Sequence, residues 1–460
     1  MAFAQSSLNT SDMKLDDSKP STPAVTDTKN SFGIQQSQYT SYGLPEYRNG
    51  ASNQNSSLVL RLNDSVEKNG FVGKFNGKDE WSGTEQWNYG DVFEIYGAFK
   101  TEHMQVTLGR KLETWSTWDS EWQQGFFQPR YLENGLRPEA AGLTGAFLNA
   151  HDGHFSTTLA YLPLFIPDFG AHFYVADNHF FSRNPWFHPP TTTYKLGSGF
   201  GDIHYKLDHD SEDKIINHPG GAAKFEYHDG GFSSRLSGAY KPMPAFVLGF
   251  PSRGVQVQPN ANYFDLSVRP RVAYDRLVNL DNQYTAGRWT ISGSVAYDHP
   301  DDNNGPSEYT SQNIRAAEIF SGFIERRLNE AGPHATSVRV GFLKVNGGDA
   351  DDSGEFATPA DTLFTRRFEY YEAYMVALRT EFHRIFGQTL DNELRAIYDR
   401  KQGGGAVTLT SGMDFLRHTL RTELQVDFIG LLTSNADITD GYLSEYRANT
   451  RVGLGVNYVF

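Results

Sequence analysis

The chain has 460 residues, a formal net charge of −14 and no cysteine, so disulfides, thiolate metal sites and cysteine nucleophiles are excluded. The acidic balance disfavours nucleic acid as a partner, because proteins that bind a phosphate backbone usually carry a basic surface. Mean hydropathy is −0.53, and no apolar run approaches the roughly 18 residues that a membrane-spanning helix needs. A helical membrane protein is therefore excluded.

The N-terminal segment, residues 1–50, differs from the rest of the chain. It is rich in Ser, Thr, Asp and Lys and has neither helical nor strand periodicity, which predicts a disordered tail. Ala2-Phe3-Ala4 before Gln5 resembles the end of a cleaved secretory signal, and this favours export.

From residue 51 to the C-terminus the dominant period is two residues, as in β-strands. Apolar side chains lie on one face and polar ones on the other in the segments 103–111, 232–241, 287–298 and 420–428. Aromatic residues reach 14% and glycines number 44, and many of the aromatic residues fall on the apolar faces. This pattern favours a wall between lipid and water over a soluble sandwich.

The connections between these segments are of two kinds. Tight turns occur at 99–103, 150–154, 227–231, 381–388 and 416–419, and long connections at 112–141, 163–199, 242–262, 299–312 and 346–362. Short turns on one rim and long loops on the other are typical of transmembrane barrels. Residues 51–460 are therefore predicted to be all-β, forming a transmembrane antiparallel β-barrel of about 18 strands, between about 16 and about 20. When strands are counted forward from residue 51, the long connection 163–199 falls on the rim of the short turns. This indicates an extra strand around HFYVAD (172–177) or a miscount elsewhere.

The last strand alternates to the final residue, with one apolar face formed by Val452, Leu454, Val456, Tyr458 and Phe460. This stretch resembles the assembly signal of Gram-negative outer-membrane barrels. Together with the hairpin pattern, the resemblance covers roughly residues 51–460 and is porin-like, without matching an individual protein. It implies a bacterial outer-membrane location, recognition by the barrel-assembly machinery, contact with outer-membrane lipids and lipopolysaccharide, and passage of small polar solutes.

Charged residues of both signs fall on the faces predicted to point into the barrel. The candidate pore-lining residues are Arg379, Arg395, Arg421, Glu423, Glu445, Arg447 and Arg451. Opposed arginines and carboxylates would set a transverse field that selects charged or dipolar solutes. The alternative is that they form ion pairs which merely brace a hydrated interior.

Two long connections carry unusual numbers of aromatic residues. One holds Trp115, Trp118 and Trp122, which could form an interface girdle, a self-packed loop or a surface that stacks on sugars. The other holds Phe165, Phe169 and Phe173 and is too apolar for a solvated loop. Either an inward fold that narrows the pore or an extracellular lid would bury its rings.

Motifs for chemistry are weak. Asp349 and Asp351 match the start of a calcium loop, but its twelfth position is Ala360 rather than a bidentate Glu, so no metal is predicted. No catalytic or cofactor-binding motif is found, so neither enzyme activity nor a cofactor is predicted. The sequence favours an outer-membrane channel for passive diffusion of small polar or charged solutes, selected by inward-folded loops and lumen charges. The alternative is an export conduit or structural scaffold without an open channel.

Overall fold

The computed structural model describes residues 30–40, 53–83, 87–190, 192–196, 199–208, 212–250, 253–258, 261–301, 310–311, 313–329, 334–351, 367–385, 388–416, 418–432 and 441–460. Eighteen strands form one sheet and are numbered in chain order: β1 Ser31–Thr40, β2 Gln54–Lys68, β3 Phe71–Ser82, β4 Trp87–Lys100, β5 Met104–Lys111, β6 Leu143–Asp152, β7 Phe155–Leu162, β8 Gly220–Asp229, β9 Phe232–Pro242, β10 Tyr274–Ala286, β11 Trp289–Pro300, β12 Ala317–Asn329, β13 His334–Gly347, β14 Glu372–Ile385, β15 Gln388–Asp399, β16 Gly404–Phe415, β17 Leu420–Leu431 and β18 Thr450–Val459.

Each strand pairs antiparallel with the next, and the sheet closes through β1 and β18, which pair from Ser31 with Val459 to Thr40 with Thr450. The predicted all-β antiparallel barrel of 18 strands is therefore confirmed. The predicted boundary at residue 51 is wrong for Ser31–Thr40, because this segment is a barrel strand rather than a tail. Main-chain bonds to both neighbours hold it, and composition does not reveal such bonds. Residues 1–29 and 41–50 lie outside the described residues.

The two rims differ in the length of their connections. The connections after the even-numbered strands β2 to β16 span two to four residues, and residue 30 and Phe460 lie on the same turn rim. At the first turn Asn69 and Gly70 have φ of 51° and 80°, as a two-residue hairpin requires. The longest loops lie on the opposite rim, the loop rim. The strand that the count from residue 51 left out is β1, which lies before residue 51. Tyr174–Ala176 of HFYVAD is not a barrel strand, because it belongs to a separate hairpin.

The two faces of the wall differ as the alternation predicts. On β18, Val452, Leu454, Val456 and Tyr458 are 44–62% exposed on the outer face, whereas Arg451 and Asn457 are each 4% exposed on the inner face. In a closed sheet the backbone N–H and C=O groups of every strand are hydrogen-bonded to neighbouring strands, so strands of this kind can cross a bilayer. The protein is therefore a transmembrane β-barrel of the outer-membrane type. Among the described residues, no helix has the length and apolar character needed to cross a membrane.

The remaining elements belong to the loops of the loop rim. The helices are α1 Thr117–Trp122, α2 Glu212–Ile216, α3 Tyr442–Glu445 and the 3-10 turn Arg447–Asn449. The short strand pairs are Arg130–Tyr131 with Glu139–Ala140, Tyr174–Ala176 with His179–Phe181, and Asn313–Ile314 with Ala350–Asp351. A further group of paired strands consists of Thr193–Leu196, Gly199–Leu207, Val247–Phe250, Arg253–Gln258, Ala261–Arg271 and Thr310–Ser311.

Candidate functional site

The connection between β5 and β6, residues 112–142, lies inside the barrel and is named the lumen loop. Its helix α1 is capped by Ser116, whose Oγ accepts the Asp119 N–H at 3.4 Å. The Asp119 carboxylate accepts the N–H groups of Phe126 and Phe127 at 3.1 and 3.0 Å. These local bonds turn the chain back after the helix, so the loop has a defined shape before it meets the wall.

The first part of the lumen loop is fastened to β8, β9 and β10. Lys224 on β8 donates to Glu113 at 2.6 Å, and Asp281 on β10 accepts the Thr117 N–H at 2.7 Å. Between them, the hydroxyl of Ser237 on β9 donates to the Trp115 carbonyl at 2.5 Å. Three neighbouring strands therefore hold the start of the loop.

The end of α1 is fastened to different strands, β12, β13 and β15. The Trp122 indole N–H donates to Ser321 Oγ on β12 at 3.0 Å. Arg339 on β13 pairs with the Glu121 carboxylate, and Arg395 on β15 donates to the Glu121 carbonyl at 2.7 Å. The helix therefore spans from one part of the wall to another.

The returning part of the lumen loop is fastened to β2, β3 and β17. Arg137 pairs with Asp427 on β17 at 2.7 Å. Glu139 pairs with Arg61 on β2 and with Lys78 on β3, the latter at 3.3 Å. Contacts with both sides of the wall hold the loop across the lumen, where it restricts the cross-section.

The electrostatics of the lumen loop favour this attached state. Burial alone would raise the pKa of Glu113, but Lys224 and Lys111 lower it to about 2. Burial opposes ionisation of Glu139 in the same way, and Arg61 and Lys78 lower its pKa to about 2. Both carboxylates are therefore ionised at neutral pH and bound to cations of the wall.

The three predicted tryptophans of this loop lie in its buried part. Trp115, Trp118 and Trp122 are each 1% exposed, and Trp115 stacks on Phe127 at 6.2 Å between ring centroids. Phe126 stacks on Phe368, from the loop between β13 and β14, at 4.8 Å. The rings face the lumen rather than lipid, so they form no interface girdle, and Trp115 and Trp118 have no exposed face for a sugar.

The second aromatic segment divides between the barrel and a separate cluster. Phe165 is 6% exposed, and Phe169 stacks on Tyr131 of the lumen loop at 5.5 Å. Phe173 instead packs on Phe180 at 5.4 Å, in the hairpin outside the barrel. Asp168 adds a charged contact with the lumen loop, because it pairs with Arg130 at 3.3 Å.

The predicted pore-lining residues on strands lie on the inner face, and most of them are paired. Arg379 pairs with Glu393 at 3.3 Å, and Arg421 with Asp391 and Asp414 at 2.8 and 3.0 Å. Arg451 pairs with Asp427 at 2.8 Å, while Glu423 accepts a hydrogen bond from Gln425 at 2.7 Å. Arg395 differs, because its described partners are a carbonyl and a thioether.

Glu445 and Arg447 are not on a barrel strand, so the prediction that they line the wall there is wrong. Glu445 ends α3 and Arg447 begins the 3-10 turn, because β18 starts only at Thr450. The Glu445 carboxylate contacts His188 Nε2 and so joins two loops of the loop rim. The alternation of the sequence continues upstream of Thr450, where the strand begins.

Two cavities lie along the inner wall between β12 and β16, and both border Gln123 and Arg395. The turn-side cavity is bordered by Glu121, Glu325, Arg339, Ala377, Arg379 and Glu393. The loop-side cavity is bordered by Trp122, Leu136, Glu369, Tyr370, Ile397 and Thr408. Arg339 and Ala377 were not among the predicted pore-lining residues. The sequence carried a signal for both, because each lies between two apolar residues that face outward: Val338 and Val340 for Arg339, and Val376 and Leu378 for Ala377. It had no signal for Glu121, which lies on a loop.

Neither of the weak metal candidates, Asp349 and Asp351, belongs to a group of described side chains that could hold a metal ion. Asp349 accepts a hydrogen bond from the Tyr371 hydroxyl, and Asp351 lies in the short strand Ala350–Asp351. Within the described parts of the chain, no group of three or more His, Asp or Glu side chains is arranged to hold a metal ion. Ala360, the twelfth position of the calcium pattern, lies outside the described residues.

No family model and no curated protein matches the sequence. Among solved structures, OccK2 (OpdF) of Pseudomonas aeruginosa is similar at 11% identity and a TM-score of 0.45, over 93% of this chain and 95% of that one. A BenF-like porin from Pseudomonas fluorescens Pf-5 gives 10% identity and a TM-score of 0.43, over 94% and 98%. Wzi of Escherichia coli, described as a carbohydrate-binding β-barrel involved in capsule assembly, gives 11% and 0.44, over 94% and 85%. At these identities the likeness concerns the barrel fold and extends to no functional residue.

Proposed function

We propose that this protein is a bacterial outer-membrane channel for passive diffusion of small polar or charged solutes. The observation that carries the proposal is the pair of cavities that share Gln123 and Arg395 on the inner wall. They follow one side of the lumen, beside the lumen loop. A narrow path bordered by charges selects solutes by size and charge and needs no chemical step.

The surroundings of the barrel follow from the same proposal. The exposed apolar face of the wall suits outer-membrane lipids and lipopolysaccharide. The alternating last strand, which ends in the exposed Phe460, suits recognition by the barrel-assembly machinery. The competing function, a conduit or scaffold without an open channel, requires that the two cavities remain disconnected.

Because the chain has no cysteine, a single introduced thiol tests the path cleanly. Ala377→Cys places the thiol on the turn-side cavity, and Val376→Cys places it on the lipid face, where Val376 is 51% exposed. We expect step conductance in planar bilayers, and a charged methanethiosulfonate reagent should lower it by at least about half in the first variant only. Untreated protein without conductance steps, or equal inhibition of both variants, would contradict the proposal.

A further inference from the structure

Two arginines on the outer face of the wall lie over aromatic rings, one near each rim. Near the loop rim, the guanidinium carbon of Arg276 lies 5.9 Å from the centre of the Tyr240 ring, and Arg276 pairs with Asp301 at 2.9 Å. The Tyr240 hydroxyl donates to the same carboxylate at 2.9 Å. This arginine therefore has its counter-charge within the protein.

The arginine near the turn rim has no such partner. The guanidinium carbon of Arg326 on β12 lies 5.0 Å from the centre of the ring of Trp289, its neighbour across the ladder on β11. Among the described residues, no carboxylate lies within 4 Å of this guanidinium. Glu325, the adjacent residue in the chain, is buried on the inner face and pairs with Arg339. The counter-charge of Arg326 must therefore come from outside the wall.

The position of Arg326 along the strand determines what it meets there. The neighbouring outward-facing residues toward the middle of the wall are Ile324 and Ile291, both exposed, and Leu328 follows toward the turn. Arg288, in the turn between β10 and β11, donates from Nη1 to the Leu328 carbonyl at 3.2 Å and brings a second cation to this edge. Arg326 therefore lies where the apolar band ends, at the depth of the lipid headgroups.

We propose that Arg326 and Trp289 form a binding site for the phosphate of an anionic phospholipid. The short turns of outer-membrane barrels lie on the periplasmic side, where the leaflet contains phospholipids rather than lipopolysaccharide. The guanidinium donates two hydrogen bonds to one phosphate, and the indole holds it flat against the wall. The acyl chains of the same lipid lie along Ile291 and Ile324. This site goes beyond the proposed channel and does not depend on conduction.

The test measures binding of dioleoyl phosphatidylglycerol to the full chain in detergent by native mass spectrometry. Arg326→Gln should lower the association constant about fivefold, because the charge and both hydrogen bonds are lost. Trp289→Leu should lower it about twofold, since the arginine remains but its aromatic support is lost. The matched control is Arg276→Gln, which removes an equal charge from an arginine that is already paired, and the constant should stay within about 1.5-fold.

Two further ligands separate the sources of phosphate. Excess inorganic phosphate should not displace the phospholipid, because it has no acyl chains to contact the wall. Purified lipopolysaccharide should bind Arg326→Gln as well as it binds the unaltered protein, because it belongs to the opposite leaflet. Displacement by inorganic phosphate, or loss of lipopolysaccharide binding in place of phosphatidylglycerol binding, would overturn the proposal.

A loss in Arg326→Gln no greater than that in Arg276→Gln would overturn it as well. Heat-modifiable electrophoretic mobility reports whether each variant is folded. If Arg326→Gln does not fold, Arg326→Lys decides. This variant keeps the charge but lacks the planar fork, so its association constant should fall about twofold, and an unchanged constant would contradict the site.

Discussion

Two loops of this barrel are both rich in aromatic residues, but their aromatic side chains lie in different environments. In the lumen loop, Trp115, Trp118 and Trp122 are each 1% exposed and lie inside the wall. The loop between β7 and β8, residues 163–219, is named the outer loop. Its Phe165 is 6% exposed, but Phe169 and Phe173 are 40% and 38% exposed. Aromatic content therefore does not decide which loop enters the lumen.

The difference lies in where each loop finds its counter-charges. Glu113, Glu121 and Glu139 of the lumen loop each pair with a cation on a barrel strand. In the outer loop, the charged residues that the structure describes pair with residues of loops and not of barrel strands. Examples are Asp208 with Arg269 and Asp168 with Arg130. Placement inside the lumen thus requires charges on the loop that match charges on the wall.

The largest effect is expected from removing those carboxylates together, in the variant Glu113→Gln/Glu121→Gln/Glu139→Gln. The substitutions leave the wall cations unpaired, so the loop should leave the wall. We expect single-channel conductance to rise by about threefold or more.

The matched control is Asp177→Asn/Asp202→Asn/Asp208→Asn, which removes the same charge from the outer loop. Its conductance should stay within about a fifth of the unaltered value. Equal conductance in the two triple variants would show that the lumen loop does not limit the path.

A large difference in stability is expected between Trp122→Ala and Phe173→Ala. Trp122 is buried and donates to Ser321, so its truncation leaves a cavity and should cost about 3–5 kcal/mol. Phe173 is 38% exposed, and its truncation should cost below about 1.5 kcal/mol. Urea unfolding of both variants in detergent micelles measures the difference, and similar midpoints for the two would contradict the burial of the lumen loop.

The wall could be predicted from the sequence to a greater extent than the site. Alternation in segments such as Val452–Phe460 fixes which side chains face lipid, because the side-chain period of a strand is two. Strand β1 was not predicted, because Gln36 and Gln38 occupy outward-facing positions where apolar residues are expected. The contact of Glu121 with Arg339 joins residues 218 positions apart, and no local pattern reports such a pair.

A moderate effect is expected from acid. The pKa of Glu113 and of Glu139 is lowered to about 2 in the attached loop, from an ordinary value of 4.5. Lowered pKa values stabilise attachment above pH 4.5, and this contribution is lost as pH falls from 4.5 towards about 2. From these two groups alone, conductance should therefore rise as the pH falls below 4.5.

Glu133 provides the contrast within the same loop. Burial and the nearby Glu80 raise its pKa to about 7, so its contribution to the attached state is complete at low pH and lost as pH rises through about 7. The test compares the unaltered protein with the Glu113→Gln/Glu139→Gln variant. If acidification raises conductance equally in both, groups other than Glu113 and Glu139 cause the acid response.

The smallest effect isolates one neutral contact between wall and loop, the bond from Ser237 to the Trp115 carbonyl at 2.5 Å. Ser237→Ala leaves that carbonyl without this donor and should lower the free energy of unfolding by about 1 kcal/mol. Ser234→Ala, on the outer face of the same strand, removes a hydroxyl from the lipid side and should be neutral within about 0.5 kcal/mol. Because the charged contacts remain, conductance should be unchanged in both. A rise in Ser237→Ala alone would mean that neutral bonds, and not the ion pairs, keep the loop in the lumen.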